Sequence, residues 1–219
     1  MGATANEPGL FIAVEGPEGA GKSSQVRRLT QRLRDAHDDV LVTREPGGTP
    51  AGDRIREVLL DPALRLDPLA EVLLYAAARS QHVLEVIAPA LAGGRVVLSD
   101  RFAAATVAYQ GYGRGLDLAF VEALNQRATL GHVPDLIVLL DVAPETGLRR
   151  IAARGAIDRL ERADLAFHRR VRAGFLAQAG ADPGRWHVID AEANEQQVAE
   201  ALWDAVGAAL ERWRARSRA

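Results

Sequence analysis

Leu10-Phe11-Ile12-Ala13-Val14-Glu15-Gly16-Pro17-Glu18-Gly19-Ala20-Gly21-Lys22-Ser23-Ser24-Gln25-Val26 is the stretch that decides the fold. The apolar run from Leu10 to Val14 has the composition of a buried strand. It breaks at Gly16, and from there the residues follow the spacing G-x-x-x-x-G-K-S, ending at Gly21, Lys22 and Ser23. Val26, Leu29 and Leu33 then recur at helical spacing. Strand, glycine loop and helix in that order are the setting a phosphate-binding loop requires. Gly16, Gly19 and Gly21 let the backbone curl around an anion with its N–H groups turned inward, and Pro17, Glu18 and Ala20 complete the loop. The helix beginning near Lys22 aims its positive end at the same point. Lys22 brings a charge to the β- and γ-phosphates of a nucleotide, and Ser23 offers a hydroxyl to Mg²⁺. Glu18 is the odd member, because a carboxylate beside a triphosphate is repelled. Either it is solvated or it faces a second substrate and accepts a hydrogen bond from a hydroxyl; the rest of the chain favours the second reading.

Outward from this loop, strands alternate with helices. Val40 to Thr43 forms a second strand that runs into Arg44-Glu45-Pro46-Gly47-Gly48-Thr49-Pro50, where proline and paired glycine demand a shaped loop. A helix is expected over 51–60. Asp67 and Pro68 supply the N-cap and first residue of a long helix reaching about Ala92, kinked near its end by Pro89 and stopped by Gly93-Gly94. Arg95 to Ser99 is a third strand, ending in Asp100-Arg101. Short helices follow near 103–109 and 117–130, then a strand over 135–141, a helix over 144–153, an arginine-rich turn, a helix over 161–179, a strand over 186–190 and a closing helix over 195–213. This order predicts one α/β domain over 1–219, with a central parallel sheet of about five strands flanked by helices. A loose tail is expected at 1–8 and a short arginine-rich lid near 149–163. In such sheets ligands sit at the carboxyl ends of the strands. The glycine loop, Arg44-Glu45-Pro46, Asp100-Arg101 and Asp141 all fall there, which points to a single site.

The totals narrow the function classes. The 219 residues carry a net charge of −2, so no basic field marks the chain for nucleic acid. It has no cysteine, which excludes disulfides and thiolate metal sites and fits a reducing cytoplasm. Its five histidines lack ligand spacing. No apolar run is long enough to span a bilayer, and Met1 to Asn6 has neither a basic leader nor a myristoylation pattern. A cytoplasmic protein with no membrane partner is the expectation.

Three further constellations carry chemistry. Asp100-Arg101 ends an apolar strand as a metal-holding acid does in phosphoryl-transfer proteins, with Arg101 turned to a phosphoryl group; the bland alternative is a surface ion pair. Tyr75 and Arg79 stand four apart and share a helix face. An aromatic plane and a fork of donors could hold a nucleobase, or the pair could pack into the core, and spacing does not choose between them. Arg149, Arg150, Arg154, Arg159 and Arg162 crowd around Gly155. They form either a solvated helix face or a mobile lid that neutralises charge on transferring phosphates. Arg212, Arg214, Arg216 and Arg218 could contact an anionic partner, but the reading favoured is a solvated helix end stabilised by the dipole.

Val14-Glu15-Gly16 to Ser23, Thr43 to Thr49 (T-R-E-P-G-G-T), Glu71 to Arg79, Asp100-Arg101, Ala108-Tyr109-Gln110-Gly111 and the arginine lid occur in the order found in thymidylate kinases, and the chain resembles that family from about 10 to 205. The resemblance implies a P-loop kinase fold that phosphorylates dTMP to dTDP with ATP and Mg²⁺. It implies that the loop residues bind ATP, that Ser23 and Asp100 hold the metal, and that Lys22, Arg101 and the lid residues Arg150, Arg154 and Arg159 carry the catalytic charge. Glu18 would meet the 3′-hydroxyl of dTMP, and Arg56 and Arg101 its phosphate. Tyr75 would stack on thymine, Arg79 would bond O4, Thr106 and Gln110 would lie at the base edge, and Tyr109 would sit under the sugar. Glu45–Pro46 looks like the family's cis peptide. The family places a catalytic arginine either in the glycine loop or in the lid, and Gly19 stands at the loop position. A homodimer through the helix 68–92 is implied as well. The chain departs from the usual pattern at Tyr75, where phenylalanine is common, at Ala105 (serine) and at Phe102 (tyrosine or histidine).

Two rivals remain at this level. One is a P-loop kinase for another nucleotide or small molecule. The other is a non-catalytic nucleotide switch, although N-K-x-D is missing and no glycine follows Asp100 at switch spacing.

Overall fold

The computed structural model describes residues 9–36, 38–153, 155 and 158–216. Its centre is the wholly buried strand β1, Leu10–Glu15. With β2 (Val40–Arg44), β3 (Val96–Asp100), β4 (Leu136–Asp141) and β5 (Trp186–Asp190) it makes a five-stranded sheet in the order β2-β3-β1-β4-β5. Every pairing is parallel, as the alternating pattern predicts. The chain builds outward from β1 first to one side and then to the other, which opens a crevice above β1. Register sets what meets there. Val14 pairs with Asp100, and Arg44 also pairs with Asp100, so the glycine loop, Asp100-Arg101 and Glu45-Pro46 leave the sheet at one level.

Alternation along β1 divides the core between the two faces. Leu10, Ile12 and Val14 pack with Val26, Leu29 and Leu33 of α1 (Lys22–Asp35) and with Val198, Leu202 and Val206 of the C-terminal helix Glu195–Arg216. Phe11 and Ala13 face the other way, onto Val83, Ile87, Leu91 and Phe102. On that same side Leu139 packs with Tyr109, Phe167, Val171 and Phe175.

The intervening helices are α2 (Pro50–Leu60), α3 (Pro68–His82), α4 (Ala88–Ala92), α5 (Ala103–Thr106), α6 (Leu118–Ala128), α7 (Pro144–Ala152) and α8 (Leu165–Ala181), so that the closing Glu195–Arg216 is α9. The expected long helix over 68–92 is present, but Val83–Ile87 between α3 and α4 is π-helical. Pro89 lacks the N–H that would reach Glu85, and its ring would press on that carbonyl; the wider turn before it relieves both problems. A second π-helical segment, Val107–Gly113, follows α5 and carries Tyr109 and Gln110. One extra residue per turn leaves little trace in a hydrophobic period, so the sequence places the first stretch inside an ordinary helix over 68–92 and carries the second only to 109, short of Gly113. Two boundaries also shift. Asp135 precedes β4, and its carboxylate accepts the Phe11 N–H at 2.9 Å. Asp164 caps α8 by accepting the Phe167 N–H at 2.6 Å, so that helix starts at Leu165.

Candidate active site

A cavity of about 580 Å³ lies above the carboxyl ends of β1, β2 and β3. Glu18, Gly19, Gly21, Lys22, Ser23, Arg56, Tyr75, Arg79, Asp100, Arg101, Thr106, Tyr109, Gln110 and Arg150 all line it. Residues singled out from well-separated parts of the sequence therefore share one chamber.

At its floor the loop from Gly16 to Gly21 wraps into α1, with Gly16, Gly19 and Gly21 at φ 150°, 72° and 85°. These are angles that residues with a Cβ avoid. The Lys22 ammonium is buried and donates to the carbonyls of Gly16 at 3.0 Å and Pro17 at 2.8 Å. Burial, and then the neighbouring Arg101, push its pKa down to about 8 against the pull of Glu18 and Asp100. Ser23 Oγ donates to Asp100 Oδ2 at 3.0 Å. Two hard oxygens side by side, next to a phosphate cradle, suit Mg²⁺, which takes few protein ligands and completes its shell with phosphate and water. Among the described residues no group of three or more His, Cys, Asp or Glu could hold a metal by itself.

Gly19 lies against α7. A Cβ built on it would stand 2.2 Å from the carbonyl oxygen of Gly147, and one on Gly147 would stand 2.2 Å from that of Glu18. Loop and helix meet backbone to backbone, so a side chain at position 19 is shut out.

Above the loop, Arg101 Nη2 donates to Glu18 Oε1 at 2.6 Å and to the Tyr109 hydroxyl at 3.1 Å, while Nη1 donates to the Gly16 carbonyl at 3.0 Å. The Tyr109 hydroxyl in turn donates to Glu18 Oε1 at 2.7 Å. Burial keeps that hydroxyl protonated. Burial by itself would raise the Glu18 pKa, but Arg101, then Lys22 and the Tyr109 hydroxyl, outweigh it and hold the carboxyl at about 2, below its ordinary 4.5. A depressed carboxyl stabilises the fold above its unfolded pKa and loses that contribution as pH falls through its folded one. Glu18→Gln should therefore be less stable than the wild type at pH 7, and the gap should close between about pH 4.5 and about pH 2. Urea unfolding at pH 7 and pH 3 checks this; a gap of constant size would refute it.

Arg56 Nη1 donates to the Pro46 carbonyl at 2.9 Å, beside the cis Glu45–Pro46 bond. Burial, then Arg44, lower its pKa, as befits a cation pressed into a positively charged corner. Toward the far end stand Tyr75, Arg79, Thr106 and Gln110. Arg79 is 2% exposed. It spends four of its five N–H groups inside the protein: Nε on Glu45 (2.8 Å), Nη1 on Asn125 (2.7 Å), and Nη2 on Thr106 Oγ1 (2.9 Å) and the Phe102 carbonyl (3.3 Å). Its share in reading a base is limited to what remains. Gln110 Nε2 donates to Glu71 Oε1 at 2.7 Å.

The lid arginines divide. Arg150 lies on the phosphate side, donating to the carbonyls of Ala191 at 2.9 Å and Gly19 at 3.4 Å. Arg154 lies outside the described residues. Arg159 is not among the cavity-lining residues. Its Nη1 meets Glu71 Oε2 at 2.5 Å and its Nε donates to the Leu59 carbonyl at 2.9 Å. Glu71, fully buried, also holds Arg114 at 3.1 Å, so Arg159 is tied to α3 and not turned into the cavity. Arg149 bonds Thr146, and Arg162 is exposed. The sequence reading missed Asp158 and Glu161, which line the cavity. Asp158 Oδ1 accepts the N–H groups of Leu160 and Glu161, and Glu161 Oε2 accepts that of Asp158, each at 2.9 Å. The D-x-x-E spacing of a capping box was the available signal, masked by the crowd of arginines.

Residues 14–202 match the family model "Thymidylate kinase". The chain is 56% identical over 198 residues to the thymidylate kinase of Deinococcus radiodurans, covering 90% of this chain and 96% of that one. It is 50% identical over 216 residues to that of Thermosynechococcus vestitus, covering 94% and 90%. The crystal structure of thymidylate kinase from Ehrlichia chaffeensis superposes with a TM-score of 0.77 at 32% identity, over 91% of this chain and all of that one. A glycine loop with a buried lysine and a serine–aspartate pair at one end of a single cavity, met by this likeness along nearly the whole length, make the chain a member of the thymidylate kinase family.

Proposed function

We propose that the two nucleotides of the family's reaction, ATP-dependent phosphorylation of dTMP to dTDP, lie end to end in the cavity and that named residues divide the work. The observation that carries this reading is that Lys22, Arg101 and Arg56 line the same chamber as Tyr75 and Gln110. Gly16 to Ser23 cradle the ATP phosphates through main-chain N–H groups, and Lys22 turns from the Gly16 and Pro17 carbonyls to the β/γ-phosphates. Ser23 and Asp100 would hold Mg²⁺, which supplies charge neutralisation at the phosphate oxygens when bound. Arg56 and Arg101 hold the dTMP phosphate in line with the γ-phosphorus. Glu18, steadied by Tyr109, accepts the 3′-hydroxyl of the sugar. Tyr75 stacks on thymine, and Thr106, Gln110 and the remaining donor of Arg79 meet its edge. Arg150 and Arg154 bring positive charge over the transferring group, while Arg159 acts through Glu71. No side chain forms a covalent intermediate; positioning and charge carry the barrier reduction.

A homodimer is part of the proposal. Leu69 and Leu73 on α3 and Leu84 beyond it are 48%, 47% and 61% exposed, an apolar stripe that a second copy could cover. A cytoplasmic location is supported by the cysteine-free composition. Among the described residues no helix is long and apolar enough to cross a membrane.

The test is a coupled ADP-release assay with dTMP, dUMP, dCMP, AMP and shikimate as acceptors. The expected outcome is clear preference for dTMP, abolished by EDTA and restored by Mg²⁺. Equal rates across the acceptors would overturn the substrate assignment, and full activity in EDTA the metal assignment.

A further inference from the structure

The turn that follows β3 is one that side-chain-bearing residues avoid. Arg101 has φ 73°, in the left-handed region. Such a conformation persists only where the surroundings over-determine it, and here three hydrogen bonds do so. The Arg101 N–H donates to the Val14 carbonyl at 3.0 Å. Its carbonyl accepts Ser99 Oγ–H at 2.6 Å. The next N–H, that of Phe102, donates to Glu15 Oε1 at 2.7 Å.

Glu15 is the unexpected member. It is the last residue of an otherwise apolar strand and is 0% exposed. Its second oxygen, Oε2, is buried with no hydrogen-bond partner. A buried acid using half its capacity is unfavourable, and an apolar residue would extend the β1 run without that cost. Among the described residues, the Phe102 N–H is the hydrogen bond this carboxyl makes. Burial pushes it up to about 7, although the cations of Arg101, Lys22 and Arg79 all pull it down. If φ at Arg101 relaxed to negative values, the Cα–Cβ bond would swing and the guanidinium would leave Gly16, Glu18 and Tyr109.

We propose that Glu15 is a positioning residue for phosphoryl transfer: by holding the Phe102 N–H it locks the left-handed turn that aims Arg101 into the cavity. The inference rests on the reading of Arg101 as a charge-carrying donor. It reaches beyond that reading by giving the buried acid at the end of β1 a task in the reaction.

Steady-state kinetics on Arg101→Ala, Glu15→Leu and the double variant test it, with dTMP and ATP each varied. A misplacement of about 1 Å in a reacting constellation costs on the order of a hundredfold. Glu15→Leu should therefore lower kcat by about ten- to a hundredfold with the KM for ATP little changed. Glu15→Gln, which keeps an acceptor for Phe102, should restore most of the rate. In the Arg101→Ala background, Glu15→Leu should cost nothing further, because the two act as one unit. If Glu15→Leu folds poorly, Ser99→Ala removes another bond of the same turn and should lower kcat by about two- to tenfold, again only when Arg101 is present. An equal penalty with and without Arg101, or a wild-type rate in Glu15→Leu, would overturn the inference. A wild-type rate in Arg101→Ala would instead overturn the reading of Arg101.

Discussion

Arg101→Ala should lower kcat by about a hundredfold or more while ATP still binds, the effect typical of losing one donor aimed at developing charge. The side chain is 15% exposed and its fork is fixed on Gly16, Glu18 and Tyr109. A donor held this way is already oriented, and under the proposed role it would lose little entropy when a phosphoryl oxygen replaced one of these partners. Arg101→Lys keeps a charge but not the planar fork and should fall between the two. Calorimetric titration with ATP separates binding from turnover. A variant that turns over at the wild-type rate would remove Arg101 from the reaction.

Arg79→Ala should destabilise the fold by about 3–5 kcal/mol, the usual cost of breaking a buried ion pair from one side. Arg79 ties α3 to the loop after β2 through Glu45, to α6 through Asn125, and to α5 through Thr106 and the Phe102 carbonyl. Its removal leaves Glu45, whose side chain is 4% exposed, with His82 as its remaining ionisable partner at 3.0 Å. Urea unfolding of the variant measures the loss. A change of less than about 1 kcal/mol would show that the buried network is dispensable, against the general behaviour of such pairs.

These two arginines mark how far the sequence could be read. The glycine loop was legible because its chemistry is local: the backbone of consecutive residues does the binding, and the flanking strand and helix are visible in the period. Arg101 was legible through its place at a strand end. Arg79 was not. Its four-residue spacing from Tyr75 gave a shared face, but the choice between core and base reader lies with Glu45 and Asn125, which reach it from other elements. Arg159 shows the same limit more sharply. Expected at the phosphates, it is claimed by Glu71 on α3, a contact no spacing announces. Glu15 passed as one more strand residue, since only the left-handed turn at Arg101 reveals what its carboxyl holds.

The contact between Gly19 and Gly147 has a consequence for how this enzyme can change. With 2.2 Å separating a would-be Cβ from the opposing carbonyl on either side, the phosphate cradle and the first turns of α7 are keyed together and must shift as one piece. An arginine at position 19 would drive its Cβ into the Gly147 backbone, so that single replacement does not fit this chain as it is folded. The helix would have to retreat first, and Arg150, on that same helix, already reaches the Gly19 carbonyl at 3.4 Å.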